Sequence, residues 1–215
     1  MARQNRVTPF GELVATEARG TLMGNRGCLH DEHQRIRRAF VGRRWIACVL
    51  EFRGRRRAVM TPGRYTELFF LDEATALAAG HRPCSECRHE GYRLFRAIWA
   101  EANPDLPAGS ADEIDAALHT ERLDGQRGKR VYRAPASELP VGVMVADGEG
   151  QAYLVLPGEL KPWQPGGYGP GIPIPNGRIF QVLTPASIVR AIARGYPVGL
   201  HPSAGERAPG QRAPR

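Results

Sequence analysis

Apolar and polar positions change rhythm twice along this chain. Up to about residue 71 the apolar residues come in short β-type runs: a possible strand at Gly11–Thr16, a clear one at Trp45–Phe52, and Glu67–Leu71. Arg53-Gly54-Arg55 reads as a turn, so Arg56–Met60 is expected to fold back on Trp45–Phe52 as a hairpin. Thr21–His33 is turn-rich and predicts no element. Between 72 and 123 the rhythm becomes helical. Asp72 can cap a helix over Glu73–Ala79, which Gly80 stops. His89–Asn103 carries Tyr92, Phe95, Ile98 and Trp99 on one face, a stripe best read as core. Ser110-Ala111-Asp112-Glu113 is a capping box that opens a helix to about Leu123, with Ile114, Ala117 and Leu118 on its buried side.

From Val131 the β rhythm returns. Val141–Ala146 and Gln151–Leu156 predict a hairpin, Glu159–Trp163 and Arg178–Leu183 two further strands, and Tyr196–His201 a last one. Thr184-Pro185 should open a helix over Ala186–Arg194. Gln164–Asn176 holds four prolines and four glycines, predicts no regular structure, and has the length of a lid or binding loop. Trp163 and Tyr168 frame it. The expected class is α+β, divided as 1–105, a capped helix and basic linker at 106–130, a small β-rich module at 131–202, and a disordered tail at 203–215.

Charge refines this picture. The net +8 lies in the N-terminal third, where residues 1–70 carry 14 arginines against 6 acids. Arg35–Arg57 alone holds nine arginines and one acid, Glu51. Such a field attracts polyanions, and Arg43, Arg44, Arg53, Arg55, Arg56 and Arg57 are the candidate nucleic-acid contacts. No run is apolar and long enough to span a membrane, and no secretory leader opens the chain, so the expected compartment is cytoplasmic. Oligomeric state is left open.

Four cysteines without a secretory signal favour metal or free thiols over disulfides. Cys84 and Cys87 form a C-x-x-C on a turn that Pro83 rigidifies, a geometry that aims two sulfurs at one ion while backbone N–H groups offset their charge. Cys28 and Cys48 are the remaining thiol candidates, with His30 an alternative ligand beside Cys28. Cys48, between Ala47 and Val49, reads equally as a small buried hydrophobe.

The segment Thr66–Arg88 also resembles the metal-binding domain of the Ada-type methyl-transfer DNA repair proteins. The residues that carry the resemblance are Phe69 and Phe70, the helix ending Leu77-Ala78-Ala79-Gly80, and then His81-Arg82-Pro83-Cys84-Ser85-Glu86-Cys87. The resemblance implies a zinc ion held by Cys84 and Cys87 as half of a four-cysteine site, in a zinc-stapled small β-sheet with helices. The family's other pair, an upstream C-x-x-x-C whose member accepts the methyl group, has no counterpart here.

Two functions follow as expectations. One is a zinc-binding protein that binds nucleic acid, DNA in preference to RNA, in DNA repair or processing. The other is an enzyme with its site between the two halves: a methyl-accepting repair protein, or a hydrolase in which a missing ligand leaves the metal a bound water. His119, Glu121 and Arg122, near one helix end, are its weak catalytic candidates, since a solvated helix terminus explains them more cheaply.

Overall fold

The computed structural model describes residues 2–54, 58–126 and 128–205. Among them lie two β-sheets and four α-helices, an α+β architecture without a closed barrel. The first sheet contains β1 (Gln4–Val7), β2 (Leu13–Ala15), β3 (Leu22–Asn25), β4 (Ile46–Cys48) and β5 (Leu68–Phe70). After helix α1 (Glu73–Ala78), β6 (Arg82–Pro83) completes it in the order β2-β1-β5-β3-β4-β6. Two long helices follow, α2 (His89–Ala102) and α3 (Ala111–Arg122). The second sheet comprises β7 (Tyr132–Pro135), β8 (Met144–Ala146), β9 (Ala152–Leu156), β10 (Glu159–Gln164), β11 (Gly167–Tyr168), β12 (Ile172–Pro173) and β13 (Ile179–Val182). Its order is β11-β10-β9-β8-β13-β7 with β12 beside β10, and α4 (Ala186–Ala193) comes last.

Helix α1 is the strut of the molecule, and all six of its residues are buried. Ala76 and Ala79 pack with Leu68, Phe70 and Ala47 of the first sheet, whereas Ala74 and Ala78 pack with Met144, Ala146 and Leu154 of the second. Alanines let both sheets approach the helix closely and carry no side-chain entropy cost. A short helix buried in this way must have its terminal polar groups satisfied by protein. At the N-terminus, Asp72 Oδ1 accepts from the Thr75 amide at 2.9 Å, while its Oδ2 accepts from Tyr168 Oη at 2.8 Å and the His201 amide at 3.0 Å. At the C-terminus, Lys129 Nζ donates to the Ala78 carbonyl and Arg122 Nη1 to that of Gly80 at 2.8 Å, cations where the helix dipole favours them. Gly80 sits at φ +85°, and a Cβ there would lie 2.6 Å from Arg122 Cδ.

The larger core joins α2, α3 and α4 to the second sheet through Phe95, Trp99, Ile114, Leu118, Ile188 and Phe180. The aromatic stripe of α2 is therefore packing, and the capping box of α3 forms with both of its hydrogen bonds.

Several local expectations give way. Thr21–His33 contains β3, a strand with neighbours on both sides, because Gly24 allows the Ile46 carbonyl to approach where a Cβ would stand 2.2 Å away. Strand β1 carries no apolar alternation to predict it, its polar Asn5 being buried with its side chain on the Glu67 carbonyl. Among the described residues no hairpin returns on β4. Residues 59 and 60 are turn, Met60 having φ +59°, while Arg55–Arg57 lie outside the described residues. β4 pairs instead with β3 and β6. Residues 164–176 contribute the short strands β11 and β12, and 196–201 form no strand but dock on the N-terminus of α1. Thr184 does not cap α4: its hydroxyl accepts from the Met144 amide, and Glu121 Oε2 accepts from the Ser187 amide instead. Ala204 of the expected tail is buried in a short 3-10 turn, and 206–215 lie outside the described residues. No helix among the described residues is long and apolar enough to cross a membrane.

Candidate metal centre

Strand register builds the centre. β6 runs parallel to β4 with Ile46 opposite Arg82 and Ala47 opposite Pro83, so the next residues in step are Cys48 and Cys84. The Cys84 amide donates to the Ala47 carbonyl at 2.9 Å and fixes this step. Residues 85–88 then form a turn closed by the Arg88 amide on the Cys84 carbonyl at 3.2 Å, which returns Cys87 to the same place before α2 begins. The Sγ atoms of Cys48, Cys84 and Cys87 lie within 4.8 Å of one another.

Their surroundings suit thiolates bound to a cation. The Glu86 amide donates to Cys84 Sγ at 3.4 Å, the Cys87 amide also donates to that sulfur, and the Val49 amide donates to Cys87 Sγ. The Cys84 thiol is pulled down to about 5, first by its hydrogen bond with Cys48 and then, against burial, by the two turn amides. Cys48 is pushed far up by that same hydrogen bond and by burial, and Cys87 is pushed up by burial and by the charge on Cys84. Without an ion, one thiolate is therefore shared among three sulfurs. A tetrahedral zinc sets its thiolates ~3.8 Å apart at Zn–S distances of ~2.3 Å, so the three sulfurs close on such an ion with small side-chain shifts. The donor set fits a soft or borderline divalent metal, with no carboxylate or imidazole among the three.

A buried polar network flanks the cluster. Arg88 Nη2 donates to Glu73 Oε1 at 2.6 Å, and the same carboxylate accepts from Tyr196 Oη at 2.8 Å and from the Gly199 amide at 2.9 Å. The Arg88 guanidinium is held protonated by Glu73, Tyr196 and Cys87 against the effect of burial. Arg88 directly follows the second cysteine, a cue visible in the sequence, whereas nothing local marks Glu73 or Tyr196 as its partners.

The other candidate ligands stay outside the group. Cys28 Sγ donates to the His30 carbonyl at 3.7 Å. His30 is buried with both ring nitrogens engaged, Nδ1 with Thr66 Oγ1 at 2.7 Å and Nε2 with the Thr61 carbonyl at 3.2 Å. Because a carbonyl only accepts, Nε2 carries the proton and Nδ1 accepts from the hydroxyl. That histidine clamps the 61–66 segment.

The His119, Glu121 and Arg122 trio takes up structural tasks. Glu121 holds the first turn of α4 through the Ser187 amide and hydroxyl. Arg122 is buried, donates to the carbonyls of Gly80 and Arg43, and lies 4.0 Å from the centre of the Trp45 ring. His119 meets Arg122 through Nδ1 and rests against Phe40, at the rim of a shallow cavity of about 330 Å³. Burial and the Arg122 charge lower its pKa.

Of the arginine candidates, Arg43, Arg44 and Arg53 are exposed, Arg44 in an ion pair with Asp112 and Arg53 over the Phe52 ring. Arg55, Arg56 and Arg57 lie outside the described residues. No family model, curated protein or solved structure matches this chain.

Proposed function

We propose that this chain is a zinc-thiolate protein that binds nucleic acid, DNA in preference to RNA, and acts in DNA repair or processing. The observation that carries the metal is the convergence of Cys48, Cys84 and Cys87 from two parallel strands and a turn, with backbone amides already aimed at two of the sulfurs. Zinc is the assignment because a thiolate-only set suits it, and because the Cys84–Cys87 segment resembles a zinc half-site in Ada-type repair proteins. Three thiolates leave the ion fixed in place, where it ties β4 to the start of α2.

The polyanion reading rests on placement. Arg43 and Arg44 precede the strand that carries Cys48, and Arg53 follows it, all three exposed. Further exposed arginines, Arg35, Arg37 and Arg38, lead into the same strand, Arg37 being paired with Asp31. Arginines so arrayed hold phosphates and fix orientation while reading little sequence. Fluorescence anisotropy of a labelled duplex across a salt series tests this. Affinity should fall steeply with salt, and the slope of log K against log[salt] should lessen by about 2–3 when Arg43, Arg44 and Arg53 are all changed to alanine. Binding that does not respond to salt, or a slope unchanged in the triple variant, refutes the assignment.

A further inference from the structure

The three sulfurs form a donor set one short of the four that a closed structural zinc site uses. Within the described residues no fourth histidine, cysteine or carboxylate shares this cluster. Cys28 is engaged with the His30 carbonyl and the His30 ring with Thr66 and Thr61, and His81 is wedged between the rings of Trp45 and Phe70 at 5.1 and 4.7 Å. The segments outside the description contain no cysteine or histidine. The cluster also lies near the surface on one side: Cys48 and Cys84 are buried, but Cys87 is only half-buried, and Ser85 and Glu86 beside it are exposed.

We infer that the fourth coordination position of this centre is exchangeable, held by water at rest and taken by a low-molecular-weight thiolate. This rests on the metal reading above and specifies what that metal binds. Three thiolates make the ion soft in its preference for a further ligand, which favours sulfur over a carboxylate oxygen. A positive group also stands close to the centre, the Arg88 charge acting on Cys87. Arg88 adjoins Cys87, and its Nη1 is buried with no hydrogen-bond partner although Nη2 is taken by Glu73. The exchange balances simply: the thiol loses its proton to solvent, its sulfur forms one bond to the metal, and one water leaves.

Cobalt(II) substitution of the full chain tests this, because sulfur-to-cobalt charge transfer counts thiolates and the ligand-field bands report the fourth donor. The expected spectrum is that of three thiolates and one oxygen donor. Titration with 2-mercaptoethanol should add a fourth sulfur's intensity saturably, with isosbestic points and no loss of cobalt. A four-sulfur spectrum before thiol is added, lost in Cys28→Ala, overturns the inference while leaving the metal in place. So does a nitrogen donor that disappears in His89→Ala, His89 being the exposed residue two positions beyond Cys87. A three-sulfur spectrum indifferent to thiol overturns it as well. Failure to bind cobalt at all removes the metal reading, and this inference with it.

Discussion

Asp115 offers the sharpest single perturbation of the frame that positions the cysteines. Arg82, two residues before Cys84, donates Nε to Asp115 Oδ1 at 3.0 Å and Nη2 to Oδ2 at 2.7 Å, a two-pronged pair between β6 and α3. Both side chains are almost wholly buried, at 2% and 3% exposure. Burial pushes the Asp115 carboxyl up, and Arg82 offsets that only in part, so the pair does not recover its full desolvation cost. Asp115→Ala leaves a guanidinium buried with only the Pro83 carbonyl and the face of the Tyr92 ring to meet it, and should cost about 3–5 kcal/mol. Asp115→Leu combined with Arg82→Met removes both charges and should recover most of that loss. Equilibrium urea unfolding with zinc and a reductant present measures each variant. Should Asp115→Ala be too unstable to purify, the double variant still reports, because it must fold. The reasoning is refuted if the single variant lies within about 1 kcal/mol of the parent, or if the double variant is no better than the single one.

Three further outcomes follow from the geometry. Gly24→Ala drives a Cβ into the Ile46 carbonyl, so it should displace β4, weaken zinc binding by more than tenfold in a competitive chelator titration, and lower thermal stability. Zinc uptake at pH 7 should release about two protons, because Cys84 is ionised there while Cys48 and Cys87 still hold theirs; calorimetry in buffers of differing ionisation enthalpy counts them. Lys129 is lowered to about 7 by burial, with Arg122 and Arg26 adding repulsion. Its unfolded form binds the proton more tightly, so its penalty is constant below pH 7 and relieved as pH rises from 7 towards 10. The stability of the parent relative to Lys129→Met should accordingly climb with pH in that window, by at most about 1.4 kcal/mol per unit; a flat difference contradicts the burial argument.

What the sequence disclosed depended on how local each signal was. The capping box at Ser110, the stop at Gly80, the α2 stripe and the β8–β9 hairpin are written within a few residues, and each formed. Two inner strands of the first sheet were not legible in the same way. β1 and β3 are short, one carrying a buried asparagine and the other a glycine, and both are strands because distant partners pair with them. The same distinction applies at the cysteines. The Cys84–Cys87 turn is local, and its shape could be read from Pro83 and the spacing. Choosing Cys48 over Cys28 needed the parallel register of β4 and β6, a pairing across 36 residues that no periodicity encodes. Trp163 and Tyr168 looked like a frame for a loop, yet they dock on α1 through Thr75 and Asp72, partners about ninety residues away.

The central claim is a metal ion held by Cys48, Cys84 and Cys87, and elemental analysis with a chelator melt tests it most directly. The purified full chain should carry one zinc, which Cys48→Ala, Cys84→Ala and Cys87→Ala each lose and Cys28→Ala keeps. If free metal is 100-fold above its dissociation constant, chelation should remove about 2.7 kcal/mol and lower Tm by about 5–10 °C. A chain that purifies without metal and melts at the same temperature in chelator, or one that loses its metal only with Cys28→Ala, contradicts the account.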